Sequence, residues 1–242
     1  MKLNLINAKT LAERFRSAFI AQDRWKLYLK GIENTLIISL MAVAIGITIG
    51  FIIATVNYVH KKTGKLRILA AIFKIYITVV RGTPVVLQLF IMYFVVLTFI
   101  KSGVVVGAIT FGLNSAAYVA EIARAGFGSV DDGQMEAGRS LGLSGMETMG
   151  KIVLPQAMKN ALPPLFNEFI SLVKETAVVG YVGIMDLGKI PGLVQSRTFD
   201  YLFPLLIASV MYLVVVMALT FILRILEKKF AKSERNGGLA HG

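Results

Sequence analysis

The chain has 242 residues, 56% of them hydrophobic and 17% charged, with a mean hydropathy of +0.70. Soluble domains carry roughly 25% charged residues, so a disordered chain is excluded, a soluble enzyme is disfavoured, and an all-α polytopic membrane protein is indicated. There is no cysteine, which removes disulfides, thiolate metal sites and a cysteine nucleophile; the net charge of +12 crowds at the ends of apolar runs, as in an oriented membrane chain rather than a nucleic-acid binder.

Residues 1–30 are basic, with Leu11, Phe15, Phe19 and Ile20 on one helical side, and predict an interfacial amphipathic helix. Leu36 to Val56 carries no charge and is the first predicted span, read as retained rather than cleaved. His60, Lys61, Lys62, Lys65 and Arg67 follow it. Leu66 to Ile100, as one helix, would run to roughly 50 Å. It is broken at Arg81-Gly82-Thr83-Pro84, leaving a partly interfacial half with Lys74 and a second span from Val85 to Ile100.

Val104 to Ala123 is the third span, Leu162 to Val182 the fourth and Tyr201 to Leu223 the fifth. The fourth carries Glu168, Lys174 and Glu175. These divide the chain into the segment 1–30, a membrane region 31–226 with a polar cytoplasmic loop at about 127–160, and a tail 227–242. Charge puts that loop, the His60–Arg67 stretch and the tail in the cytoplasm, and Lys101 and Ile184–Asp200 outside. An odd number of spans then puts the N-terminus outside, where its many basic residues oppose the rule.

Gln134 to Ala157 reads as a short helix, a turn permitted by Gly142 and Gly145, and a second short helix opened by Pro155. Leu141, Leu143, Met146 and Met149 leave apolar surface on a cytoplasmic loop, which implies a partner. The pattern Glu136-Ala137-Gly138, Gly142, Ile152, Leu154-Pro155 resembles the coupling motif of ABC-importer permeases. Arg81-Gly82-Thr83-Pro84 through Gln88, Ala117-Tyr118-Val119-Ala120-Glu121-Ile122 with Arg124 and Gly126, and Leu172-Val173-Lys174-Glu175-Thr176 resemble elements of its polar-amino-acid branch, in the same order. Gly138 stands where that family more often has Ala, Glu175 where it has Asp, and Ala177 where it has Ser.

The resemblance implies a type I importer architecture. Two permease copies, identical or similar, form the path through the bilayer, a pair of ATPase subunits sits in the cytosol, and an extracellular or periplasmic binding protein delivers an amino acid. No GxxxxGK[ST] stretch is present, so ATP and magnesium belong to the partner ATPase, and this chain is expected to hold no cofactor or metal and to catalyse nothing. Glu136, Ala137, Gly138, Gly142, Leu154 and Pro155 are the expected coupling residues.

Gly82, Thr83, Pro84, Gln88, Asn114, Tyr118, Glu121 and Thr176 are the expected substrate-binding set. A broken helix frees backbone groups for a ligand near the midplane. Asn114, Tyr118 and Glu121 share a helix face suited to an ammonium or guanidinium group, unless Glu121 pairs with Arg124 or Arg81. Acidic groups in the bundle favour arginine, histidine or lysine as cargo. An ion-gradient-driven secondary amino-acid transporter is the alternative; it gives no reason for an apolar cytoplasmic loop.

Overall fold

A computed structural model describes residues 10–238, with side chains to residue 227. The first nine residues of the predicted N-terminal helix and most of the tail's side chains lie outside the described residues. Within them the chain is helical, with no strand. The elements are α1 (Leu11–Phe15), α2 (Arg24–Thr63), α3 (Arg67–Gly82), α4 (Val85–Ile91), α5 (Gly103–Gly128), α6 (Asp132–Ser140), α7 (Gly145–Thr148), α8 (Leu154–Glu175), α9 (Ile190–Thr198) and α10 (Leu202–Gly238).

Among the described residues, Leu11–Thr63, Gly103–Gly128 and Leu202–Glu227 are long and apolar enough to cross a membrane. Together α3 and the Val85–Val96 stretch make a fourth candidate, bent by 110° at the break. The predicted fourth span is α8, a helix of membrane-spanning length at 22 residues. Its Lys159, Asn160, Asn167, Glu168 and Lys174 keep it off that apolar standard. It also ends earlier than Val182: Thr176–Val182 is a 3-10 turn stopped by Gly183 at φ 82°.

Helix α2 is longer than the predicted span, with 40 residues or about 60 Å. Its start lies before residue 30, inside the predicted interfacial segment. Arg24 to Lys30 are the first turns of α2, where Tyr28 and Gly31 face inward and Lys26 and Lys30 pair with Asp23 and Glu33. The break before α2 is made by Gln22 and Asp23, both at φ 55°.

The bundle is built on the crossing of α2 and α5. A Cβ on Gly46 would lie 2.8 Å from the Ser115 hydroxyl, one on Gly50 2.6 Å from Val119, and one on Gly112 2.7 Å from Ile45. Lipid tails are as apolar as leucine, so membrane helices associate through such close packing of small residues. On the other side of α5, Gly126 abuts the Ala157 carbonyl of α8, where a Cβ would sit at 2.7 Å. Ile38, Ala42, Phe111, Leu172 and Val179 close the core between these helices.

The two ends of the bundle, inner and outer by the charge pattern, carry different contacts. At one end Lys62 of α2 approaches Asp132 of α6 at 4.0 Å. At the other, Asn34 donates to the Met185 carbonyl (2.7 Å), and the Thr35 hydroxyl accepts from the Leu187 amide (3.1 Å). The N-terminal segment is at that outer end: Arg14 donates twice to Asp200, at 2.8 and 2.9 Å, and stacks over Phe203. Several of the basic residues that oppose the charge rule are paired there. Arg14, Lys26 and Lys30 each have a carboxylate, and buried Arg24 donates to the Ser17 carbonyl and the Gln22 amide oxygen.

Candidate functional site

Two groups of predicted residues lie in different places, and each is assembled by local chemistry. The first is the cytoplasmic loop. Asp131 caps α6 by accepting from the Gly133 amide at 2.7 Å. The helix ends in a Schellman turn: the Leu143 amide donates to Gly138 and the Gly142 amide to Arg139, at 3.2 and 3.0 Å. Gly142 sits at φ 85° with open space around it, so its role is purely conformational.

Helix α7 then starts with a capping box. Ser144 accepts from the Glu147 amide, and the Glu147 carboxylate accepts from the Ser144 amide and hydroxyl. The Ser144 amide, then its hydroxyl, then Lys151 hold that carboxyl below the usual range. Gly138 is the contact between the two short helices. A Cβ there would lie 2.4 Å from Thr148 Cγ2 and 3.1 Å from Ile152 Cδ1. The glycine that departs from the family's usual alanine is thus matched to buried Thr148.

The product is a locally bonded hairpin with an apolar tip: Leu141 is 81% exposed and Met146 86%. Glu136 and Ala137 are exposed on α6, and Pro155 opens α8 next to half-buried Leu154. Beside the hairpin, a cleft of about 540 Å³ is lined by Lys61, Lys62, Arg124, Asp131 and Asp132 among others.

The second group surrounds the break between α3 and α4. Ending α3 at Gly82 leaves its last carbonyls without helical partners. The Gln88 side-chain amide reaches back from α4 to supply them, donating to Val80 O (2.8 Å), Thr83 O (3.1 Å) and Thr83 Oγ1 (2.9 Å). Its oxygen accepts from Asn114 of α5 at 3.0 Å. Thr83, Gln88 and Asn114 are thereby joined into one network, while Gly82 and Pro84 stay exposed on the open side. One turn along α5, the Arg81 guanidinium lies over the Tyr118 ring at 5.2 Å.

Two expected residues sit differently. Glu121 accepts from Arg124 at 2.8 and 3.0 Å, the ionic alternative foreseen for it. Thr176 is fully enclosed, donating to the Val173 carbonyl and lying 3.4 Å from Ser39 of α2. It meets the core, not the break. The site also holds a pair that spacing alone did not single out. Ser115, between Asn114 and Tyr118, donates to Glu168 of α8 at 2.8 Å. The available signal is Glu168 itself, an ionisable group inside the predicted fourth span that reads as lining the path or pairing with Lys174; its serine partner is not legible in the sequence.

Residues 46–232 match the family model described as "binding-protein-dependent transport system inner membrane component". The chain belongs to that family. It is a multi-pass inner-membrane permease, and the family is one of transport components, not catalytic enzymes. It is 43% identical over 208 residues to a putative glutamine transport system permease protein, GlnP, of Rickettsia bellii, covering 84% of this chain and 93% of that one. It is 38% identical over 209 residues to the arginine transport system permease protein ArtQ of Bacillus subtilis, covering 85% and 93%. Among solved structures it resembles an amino acid ABC transporter crystallised with histidines, with a TM-score of 0.79, 35% identity, and 87% and 98% coverage. The permease's two candidate regions thus belong to a transport subunit that works with other chains.

Proposed function

We propose that this permease imports polar amino acids, basic ones above all, along a path passing the α3–α4 break, and that the α6–α7 hairpin receives the stroke of an ATPase pair. The observation that supports the site is the set of groups gathered along one turn of α5: the Asn114–Gln88–Thr83 network, Arg81 over Tyr118, and Glu168 on Ser115. An amino acid in a low-dielectric path needs both its charges compensated. Arg81 suits a carboxylate. Glu168, whose described partner is a hydroxyl, suits a cationic group better than Glu121, which Arg124 already neutralises. Relatives named for glutamine and arginine transport agree with an amino acid as cargo.

The hairpin carries apolar Leu141 and Met146 into the cytosol beside Glu136, the surface a coupling contact needs. ATP and magnesium would be held by that ATPase, a second permease copy would complete the path, and a binding protein would deliver cargo to the outer face. Family membership leaves the ion-gradient alternative without support. The test is uptake by the complete transporter in vesicles, arginine and glutamine side by side. Glu168→Gln should cut arginine transport by about 1.5–3 kcal/mol, the worth of a charged hydrogen bond, and glutamine transport much less. Equal losses, or none, would end the basic-cargo reading.

A further inference from the structure

The turn between α2 and α3 borders the hairpin's cleft through Lys61 and Lys62, but its Gly64–Arg67 stretch has no part in either region above. It is built from Gly64 at φ 70° and Leu66 at φ 57°, and held by the His60 ring nitrogen against the Lys65 carbonyl at 3.0 Å. Lys61, Lys62, Lys65 and Arg67 project from it, all exposed. Among the described residues Lys62 alone of these has a carboxylate in reach, Asp132 at 4.0 Å. Under the turn lies a shallow concavity of about 500 Å³ lined by Leu66, Arg67, Ile68, Leu69 and Ile72.

Helix α3 continues both chemistries. Arg67 and Lys74, seven residues apart, lie on one side of it. Ile68, Ile72, Ile75 and Val79 follow the i, i+4, i+7, i+11 spacing on a separate face, each more than half exposed. An apolar stripe beside basic residues, at the cytoplasmic end of a span, is the arrangement that meets the boundary between acyl chains and phosphates.

We infer that this turn is a binding site for an anionic phospholipid. Lys65 and Arg67 take the headgroup phosphate, and the first acyl methylenes lie on Leu66, Ile68, Leu69 and Ile72. Charge complementarity selects an anionic over a zwitterionic headgroup, and the concavity's apolar lining selects a lipid over free phosphate.

The test uses the complete transporter in nanodiscs of phosphatidylcholine with increasing phosphatidylglycerol, with retained lipid counted by native mass spectrometry. Each basic side chain near an anionic surface contributes about a fivefold factor. Lys65→Gln with Arg67→Gln should therefore weaken phosphatidylglycerol retention about 30-fold. Lys65→Arg should keep it, which separates charge from folding. Arg197→Gln, on the outer face, should leave it unchanged. Retention unaffected by the double substitution overturns the site. So does displacement of the lipid by millimolar inorganic phosphate, which would mean a phosphate site. Protection of Lys65 from an amine-reactive label by the ATPase or a second permease in lipid-free detergent would make the turn a protein contact, and overturns it too.

Discussion

The inner loop from Asp132 to Leu154 and the outer loop from Gly183 to Asp200 join helices at opposite ends of the same bundle, and they are held in opposite ways. The inner loop is shaped by bonds within itself: the Asp131 cap, the Gly142 turn, the Ser144–Glu147 box, and Gly138 against Thr148. The outer loop has one bond set of its own, a turn closed on Asp186, and is otherwise held by bonds to distant elements. Buried Asp186 accepts from the Gly188 and Lys189 amides and from Tyr212 of α10. Asn34 and Thr35 of α2 bond the backbone at Met185 and Leu187, and Arg14 grips Asp200. A loop that carries its own shape can move as a unit against a partner. A loop held by three other segments is part of the wall.

The largest expected effect sharpens this contrast. Replacing Leu141 and Met146 together with serine removes two side chains whose burial is worth about 1.5–3 kcal/mol each. ATPase binding to the purified permease should weaken more than a hundredfold, with its melting temperature unchanged. A melting point that falls along with binding would mean the tip is part of the fold.

Asp186→Ala should show the reverse. It strands two amides and a tyrosine hydroxyl in a buried place, costing about 2–3 kcal/mol of stability, while ATPase affinity stays put. Gly142→Ala comes next. With no neighbour to clash, it should cost only the left-handed backbone penalty, about 1 kcal/mol, and Gly142→Asn less. Coupled ATP hydrolysis should track that order; a loss as large with Asn as with Ala would point to side-chain contact instead.

The smallest effect is a pH response of the outer clamp. The Arg14 guanidinium holds the Asp200 carboxyl below its ordinary range, against the opposing pull of burial. A depressed carboxylate stabilises at neutral pH and loses that contribution as pH falls through its folded value, here from about pH 4 downward. Protease cutting near Arg16 should rise over that window and become pH-independent in Asp200→Asn. An unchanged profile in the variant would remove the clamp from the account.

The periodicities that built the fold were local, and so were legible. The uncharged runs located α2, α5 and α10, and the Arg81–Pro84 break located the bend. Gly142 read correctly as a turn because a positive φ is a property of the residue itself. What needed the structure was contact between distant positions. Nothing around Arg14 announces Asp200, and nothing in Gly138 announces Thr148, since a missing Cβ shows only its permission and not its neighbour. Helix ends erred for a similar reason: Arg24–Lys30 is too polar to look like part of a span, but ion pairs with its flanks let it extend α2 beyond the apolar run. Gln88 reads as a candidate ligand from its place after Pro84. Its bonds to α3 show it also repairs the break that made it interesting.

The glycines at 46, 50 and 112 have a mechanical consequence. Their helices meet with no clearance for a single added carbon, which makes α2 and α5 one closely packed spar. Helix α5 has 26 residues, about 39 Å of shaft, and runs from the outer face directly into the inner hairpin. A tilt of about 10° at one end swings the other by roughly 7 Å at that length. On the coupling proposed above, that swing matches the dimensions of an amino-acid side chain.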